Sequence, residues 1–128
     1  MIETSYIKKA LDGRESWKNF CDSVSKEKDI FLSRKDGAVI SSDLGLKFNT
    51  EDNIIVSNSS VKTLFQSSIS REISYSDLIF CINLLLLSGF EFEDDELESS
   101  LYDLSSLEVT DPENGFQEIK QSLEIISQ

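Results

Sequence analysis

An apolar run of ten residues, Leu78 to Leu87, interrupted only by Asn83, restricts the fold more than any other feature. A helix that crosses a bilayer needs about 20 apolar residues, so this run predicts a buried helix of a soluble protein. Ser74 and Asp77 match a capping box before it, and Gly89 follows where helices commonly end in the left-handed conformation. Because the run is apolar on nearly every side, we expect this helix at the centre of the fold.

The segment before residue 27 also has helical spacing. We expect a helix from about Ser5 to Lys26, broken near Gly13, because apolar residues recur there every three or four positions. Asp12 and Glu15 resemble a capping box for the second piece. The inward positions are Ile7, Ala10, Leu11, Trp17, Phe20, Cys21 and Val24.

Three further helices are predicted in the rest of the chain. The first is capped by Ser59 or Ser60, the second spans about Asp94 to Leu107, and the third begins at Pro112 after an Asp111 cap. Their apolar stripes are Val61, Leu64, Phe65 and Ile69, then Leu97, Leu101 and Leu104, then Phe116, Ile119, Leu123 and Ile126. Each stripe gives its helix one face toward the core.

Short apolar segments between these helices favour strands. Asp36-Gly37 separates two of them, and this dipeptide favours a hairpin because both residues tolerate positive φ. The candidate strands are 29–33, 38–41, 46–48 and 53–57. The sequence therefore predicts one compact α+β domain over residues 1–128, mostly helical, with a small central β-hairpin or sheet and about four to five helices.

The residues that usually carry catalysis or bind metals are missing or isolated. Histidine is absent, and the five glycines are too far apart to form a phosphate-binding loop. Cys21 and Cys81 form no CxxC pair, so we interpret them as reduced core thiols. Ser-x-x-Lys occurs three times, as expected by chance in a chain with 22 serines. We therefore expect no enzyme activity, no metal and no cofactor.

Charge is distributed very unevenly along the chain. Residues 1–90 contain 12 acids and 11 bases, whereas the acidic C-terminal third, residues 91–128, contains 12 acids and only Lys120 as a base. Nearly all of the net charge of −12 therefore lies in this third. Such a surface repels nucleic acid and anionic membranes and attracts basic proteins. The N-terminus does not look like a signal peptide, so a cytoplasmic location is expected.

The candidate binding site lies at the start of the acidic third. Residues 91–113 contain ten acids and no base, although a purely structural surface usually intersperses the two signs. The alternative is a solvated helix face that only keeps the protein soluble. The candidate partner-binding residues are Glu91, Glu93, Asp94, Asp95, Glu96, Glu98, Tyr102 and Asp103.

A histidine-free chain with the segment FEFEDDELESSLYDLSS (residues 90–106) resembles the immunity proteins that bacteria pair with secreted nuclease toxins. The nearest type belongs to contact-dependent growth inhibition and related polymorphic toxin systems. The resemblance covers the whole-chain profile and the acidic segment, and it is not a motif match. It implies tight binding of a basic toxin domain, with its active site or substrate groove blocked, and it assigns no individual residue.

Two other kinds of binding protein remain open. Type III secretion chaperones are also small and acidic, and that interpretation predicts a homodimer with exposed apolar grooves. An inhibitor that mimics nucleic acid would need acids spaced like phosphates along an extended surface, whereas here they cluster at one end. The sequence leaves the oligomeric state open.

Overall fold

The computed structural model describes residues 2–33, 46–47, 54–105 and 112–127. Within these ranges the chain forms seven helices and four two-residue strands, so the predicted α+β, mostly helical class is confirmed. The elements are β1 (Ile2–Glu3), α1 (Thr4–Leu11), α2 (Trp17–Ser23), α3 (Ser25–Ser33), β2 (Leu46–Lys47), β3 (Ile55–Val56), α4 (Asn58–Ile69), α5 (Tyr75–Leu87), β4 (Glu91–Phe92), α6 (Asp95–Ser105) and α7 (Pro112–Ser127).

Helix α5 lies at the centre, as its apolar sequence predicts. It contacts α3, α4, α6 and α7. The expected capping box is present, because Ser74 Oγ accepts from Asp77 N and the Asp77 carboxylate accepts from Ser74 N, each at 3.1 Å. Gly89 has the left-handed φ of +72°. Eight residues of α5 are buried, namely Tyr75, Leu78, Ile79, Phe80, Cys81, Ile82, Leu84 and Leu85.

The described strands form two parallel pairs, β1 with β2 and β3 with β4. Strands were expected near residues 46–48 and 53–57, and β2 and β3 lie there. Strand β4 was not expected, although apolar and acidic residues alternate over residues 90–93. The hairpin predicted at Asp36-Gly37 lies outside the described residues.

The N-terminal helical segment is divided twice. The expected break near Gly13, whose φ is +78°, separates α1 from α2, and a second break at Val24 separates α2 from α3. The predicted Asp12–Glu15 capping box is wrong. Ser16 is the N-cap and accepts from Asn19 N at 3.1 Å, because its own backbone is extended while residues 12–15 form the turn and bend that follow α1.

The expected strand at residues 29–33 is also wrong, since these residues form the end of α3. Phe31 is buried there, and its ring centroid lies 5.5 Å from that of Phe80 in α5. A short apolar segment of five residues fits either a strand or a helix. Here the packing of Phe31 against the central helix favours the helix.

The C-terminal helices agree more closely with their patterns. Leu97, Leu101 and Leu104 of α6 are buried, and Pro112 is the first residue of α7. Ser59 or Ser60 was predicted as the N-cap of α4, but the N-cap is Ser57. Ser60 instead takes the third helical position and completes the capping box. No helix in the described ranges has the length and apolar character needed to cross a membrane.

Candidate functional site

The acidic segment is anchored by its pairing with β3 before it enters α6. Glu91 N donates to Ile54 O at 3.2 Å, and Glu93 N donates to Val56 O at 2.9 Å. These backbone bonds fix the direction in which the following residues leave the sheet. The start of the candidate site is therefore held by the core and is not a free tail.

Two of the predicted site acids stabilise helix ends. Asp94 caps α6, because its Oδ1 accepts from Leu97 N at 2.7 Å. Its Oδ2 accepts from Asn58 Nδ2 at 3.1 Å, and Glu93 Oε2 accepts from Asn58 N at 2.7 Å at the start of α4. A carboxylate at a helix N-terminus is favoured by the unpaired N–H groups and by the helix dipole. Acids at the start of α6 suit its dipole, as the sequence indicates, but the bonds by which Glu93 and Asp94 join α6 to α4 were not predicted.

The other candidates on α6 share one side of the helix. We call the exposed residues Asp95, Glu96, Ser99, Tyr102 and Asp103 the α6 acidic face. At about 100° per residue these five positions lie within one arc, opposite the three buried leucines. Glu98 is half-buried at the side of this arc. The structure therefore brings Asp95, Glu96, Tyr102 and Asp103 together on one surface.

Tyr102 is the most unusual member of the α6 acidic face. It is 55% exposed, and it shares its side of α6 with Asp95, Glu96 and Asp103. In the described ranges the other exposed large apolar side chains are Ile30 and Ile55. Exposed in this way, the ring contributes little to core packing and is available for apolar contact with a partner.

Ile55 lies beside the remaining candidate, Glu91. The two residues are register partners in the β3–β4 pair, and both are exposed, Ile55 at 59%. Ile54 and Val56 point inward, so the alternation within NIIVS carried the signal that Ile55 faces out. An exposed apolar side chain next to an acid thus adjoins the start of the acidic segment.

The carboxylates at the start of α6 are not neutralised by nearby cations. Neither Asp95 nor Glu96 forms an ion pair with a lysine or arginine that the structure describes, and the ion pairs found there, Lys8–Asp12 and Lys28–Asp77, involve other residues. In the same ranges no group of three potential ligands could hold a metal ion. The α6 acidic face is therefore suited to binding a cationic surface.

The two thiols lie in the core, away from this face. Cys21 and Cys81 are both buried, with their Sγ atoms 3.5 Å apart. The hydrogen bond with Cys21 and the burial of the thiol raise the pKa of Cys81 well above its usual value. A protonated, buried thiol is a poor nucleophile.

The chain matches no protein-family model, no curated protein and no solved structure.

Proposed function

We propose that this chain binds a basic protein through the α6 acidic face, and that the partner is a toxin domain, of nuclease type, which binding neutralises. The observation that carries the proposal is the exposure of Tyr102 on a helix face shared with Asp95, Glu96 and Asp103. Aromatic residues are enriched among the side chains that dominate binding energy, and polar residues commonly surround them.

The last turn of α6 supports the proposal more strongly than the first. Asp95 and Glu96 lie at the positive end of the helix dipole, which by itself accounts for acids at these positions. Asp103 lies near the negative end, where the dipole disfavours a carboxylate. The helix dipole therefore does not account for Asp103, nor core packing for Tyr102, and a surface that recognises a partner would explain both.

Blocking a nuclease requires chemistry that this face offers. Nucleases bind phosphate oxygens with arginine and lysine, and carboxylates pair with the same groups in a similar geometry. The carboxylates of Asp95 and Glu96 would compete for that groove, while the Tyr102 ring would add apolar contact at its edge. Opposite charges would also accelerate encounter at low ionic strength.

The alternative interpretations find less support in the described surface. A secretion chaperone needs apolar grooves, whereas the described surface exposes three large apolar side chains, Ile30, Ile55 and Tyr102, each on a different element. A nucleic-acid mimic needs acids along an extended surface, whereas here they are concentrated in β4 and α6, with two occupied in capping. A local acidic face with an aromatic residue fits a protein inhibitor better.

The test compares tagged variants in pull-downs from the source cell at low and high salt, followed by mass spectrometry. The site variants are Tyr102→Ala and the double change Asp95→Asn with Glu96→Gln. The matched control is Asp22→Asn, which removes an exposed acid from α2. We expect wild type and control to recover one basic protein at equal stoichiometry and the site variants to lose it.

Two further measurements decide the outcome. Adding wild-type protein should inhibit nuclease activity of the recovered partner, and the association rate should fall as salt rises. Equal recovery by Tyr102→Ala and the control would move the interface away from α6. Recovery of a homodimer carrying a secreted effector would favour the chaperone instead.

A further inference from the structure

A cavity of about 370 Å³ lies between the end of α4 and the exposed side of α7. Its lining includes two cations and one carboxylate, together with an amide and an apolar side chain. The residues are Ile69, Arg71, Glu113, Gln117 and Lys120. Glu113, Gln117 and Lys120 are spaced at i, i+4 and i+7, which places them on one side of α7. Cations thus outnumber carboxylates among the described lining residues, although the chain as a whole has a net charge of −12.

Arg71 occupies a backbone position where glycine is the favoured residue. Helix α4 ends with Arg71 N donating to Ser68 O at 3.0 Å and Glu72 N donating to Ser67 O at 2.9 Å, which is the Schellman pattern. The central residue of this pattern is left-handed, and Arg71 has a φ of +66°. Gly13 and Gly89 take the other positive φ angles in the described ranges. Arginine at this position costs backbone strain that glycine would avoid, so its side chain needs a compensating use.

The charged side chains around the cavity are not paired with one another. In the described part of the chain, Arg71, Glu113 and Lys120 form no ion pair, although all three line the same cavity. Arg71 and Glu113 are exposed, so water solvates them in the absence of a ligand. Among the described lining residues, the two cations and the carboxylate of Glu113 sum to a net charge of +1.

We propose that this cavity binds a small anion that carries a phosphate or carboxylate group. The guanidinium of Arg71 offers a planar fork of donors that matches two oxygens, Lys120 adds a point charge, and the Gln117 amide adds a neutral donor. Ile69 gives the cavity an apolar wall. Glu113 opposes a second negative charge and accepts from a hydroxyl or ammonium group on the ligand. The volume lies at the small end of the range for ligand sites.

This site is independent of the proposed protein interface. The cavity is formed by the end of α4, the turn at Arg71 and α7, whereas the α6 acidic face includes none of these segments. At about 0.15 M salt the Debye length is roughly 8 Å, which limits repulsion of the anion by distant acids. The cavity would therefore add a small-molecule site to a chain whose net charge otherwise repels anions.

The full ¹⁵N-labelled chain should be titrated with sodium phosphate and, separately, with sodium acetate, while sodium chloride keeps the ionic strength constant. We expect saturable shifts of the amides near Arg71, Gln117 and Lys120. Saturation with phosphate alone or acetate alone would identify the preferred group. Saturation with neither, or shifts that grow linearly without a limit, would overturn the proposal.

Arg71→Gly separates binding from folding. The change relieves the left-handed strain, so the thermal midpoint should stay equal or rise, while loss of the guanidinium should weaken binding of the saturating anion about tenfold or more. Lys120→Gln should weaken binding without touching this turn, and Glu113→Gln should tighten it. The control Lys18→Gln removes an exposed cation from α2 and should change nothing. Wild-type affinity in both Arg71→Gly and Lys120→Gln would contradict the assignment.

Discussion

Lys28 Nζ donates to Asp77 Oδ1 at 2.6 Å, and this ion pair ties α3 to the first turn of the central helix. The second oxygen of the same carboxylate accepts from Ser74 N at 3.1 Å in the capping box of α5. One side chain thus closes the start of the core helix and holds a neighbouring helix against it. Both partners are partly buried, which distinguishes this pair from the exposed Lys8–Asp12 pair.

Asp77→Ala should destabilise the chain more than Lys28→Ala. Removing the carboxylate loses the cap and the ion pair together, for which we expect about 1–3 kcal/mol. Lys28→Ala loses only the ion pair. Urea unfolding of both single variants and the double variant gives the coupling energy. A smaller loss for Asp77→Ala than for Lys28→Ala would contradict the double role.

Stability should depend on Lys28 at alkaline pH. The hydrogen bond to Asp77 raises the pKa of Lys28 above its usual 10.5. A raised folded-state pKa means that the ion pair contributes its full stability below the unfolded pKa and loses it as pH rises through the folded pKa. We expect wild type to lose more stability than Lys28→Met as pH rises above about 10.5 and through the raised folded-state pKa. Parallel curves for the two proteins in urea unfolding would disprove this contribution.

Cys21 and Cys81 should react slowly with Ellman's reagent in the native protein. Both thiols are buried, and the raised pKa of Cys81 keeps its reactive thiolate scarce near neutral pH. In denaturant both should react rapidly. Reaction rates measured across the unfolding transition give the free energy of the opening that exposes them. Fast modification without denaturant would show that α2 opens readily from α5.

Asp94→Ala should lower stability by about 1 kcal/mol, because α6 loses its N-cap and Asn58 loses a partner. Glu96→Gln should change stability by no more than about 0.5 kcal/mol, since its side chain is exposed. Thermal unfolding of the two variants separates the structural acid from the acid of the proposed interface. Equal melting temperatures would mean that the cap is dispensable.

Local sequence patterns predicted the features that depend on nearby residues. The capping box of Ser74 and Asp77, the left-handed Gly89 and the inward face of α6 each depend on residues less than one helix length apart. The candidate site was predicted as a set of eight residues, and the structure brings four of them onto one face. The position of Ile55 beside Glu91 was missed, because it depends on the pairing of β3 with β4.

The sequence by itself determined a buried central helix, a mostly helical class and an acidic third, because apolar spacing and charge are properties of the chain alone. Tertiary structure decided that residues 29–33 are helical, that Glu93 and Asp94 bond to Asn58 about 35 positions away, and that Arg71 and Lys120 line one cavity. These outcomes depend on contacts between distant segments. A contact between distant segments forms only when burial of the core offsets the entropy of closing the chain between them.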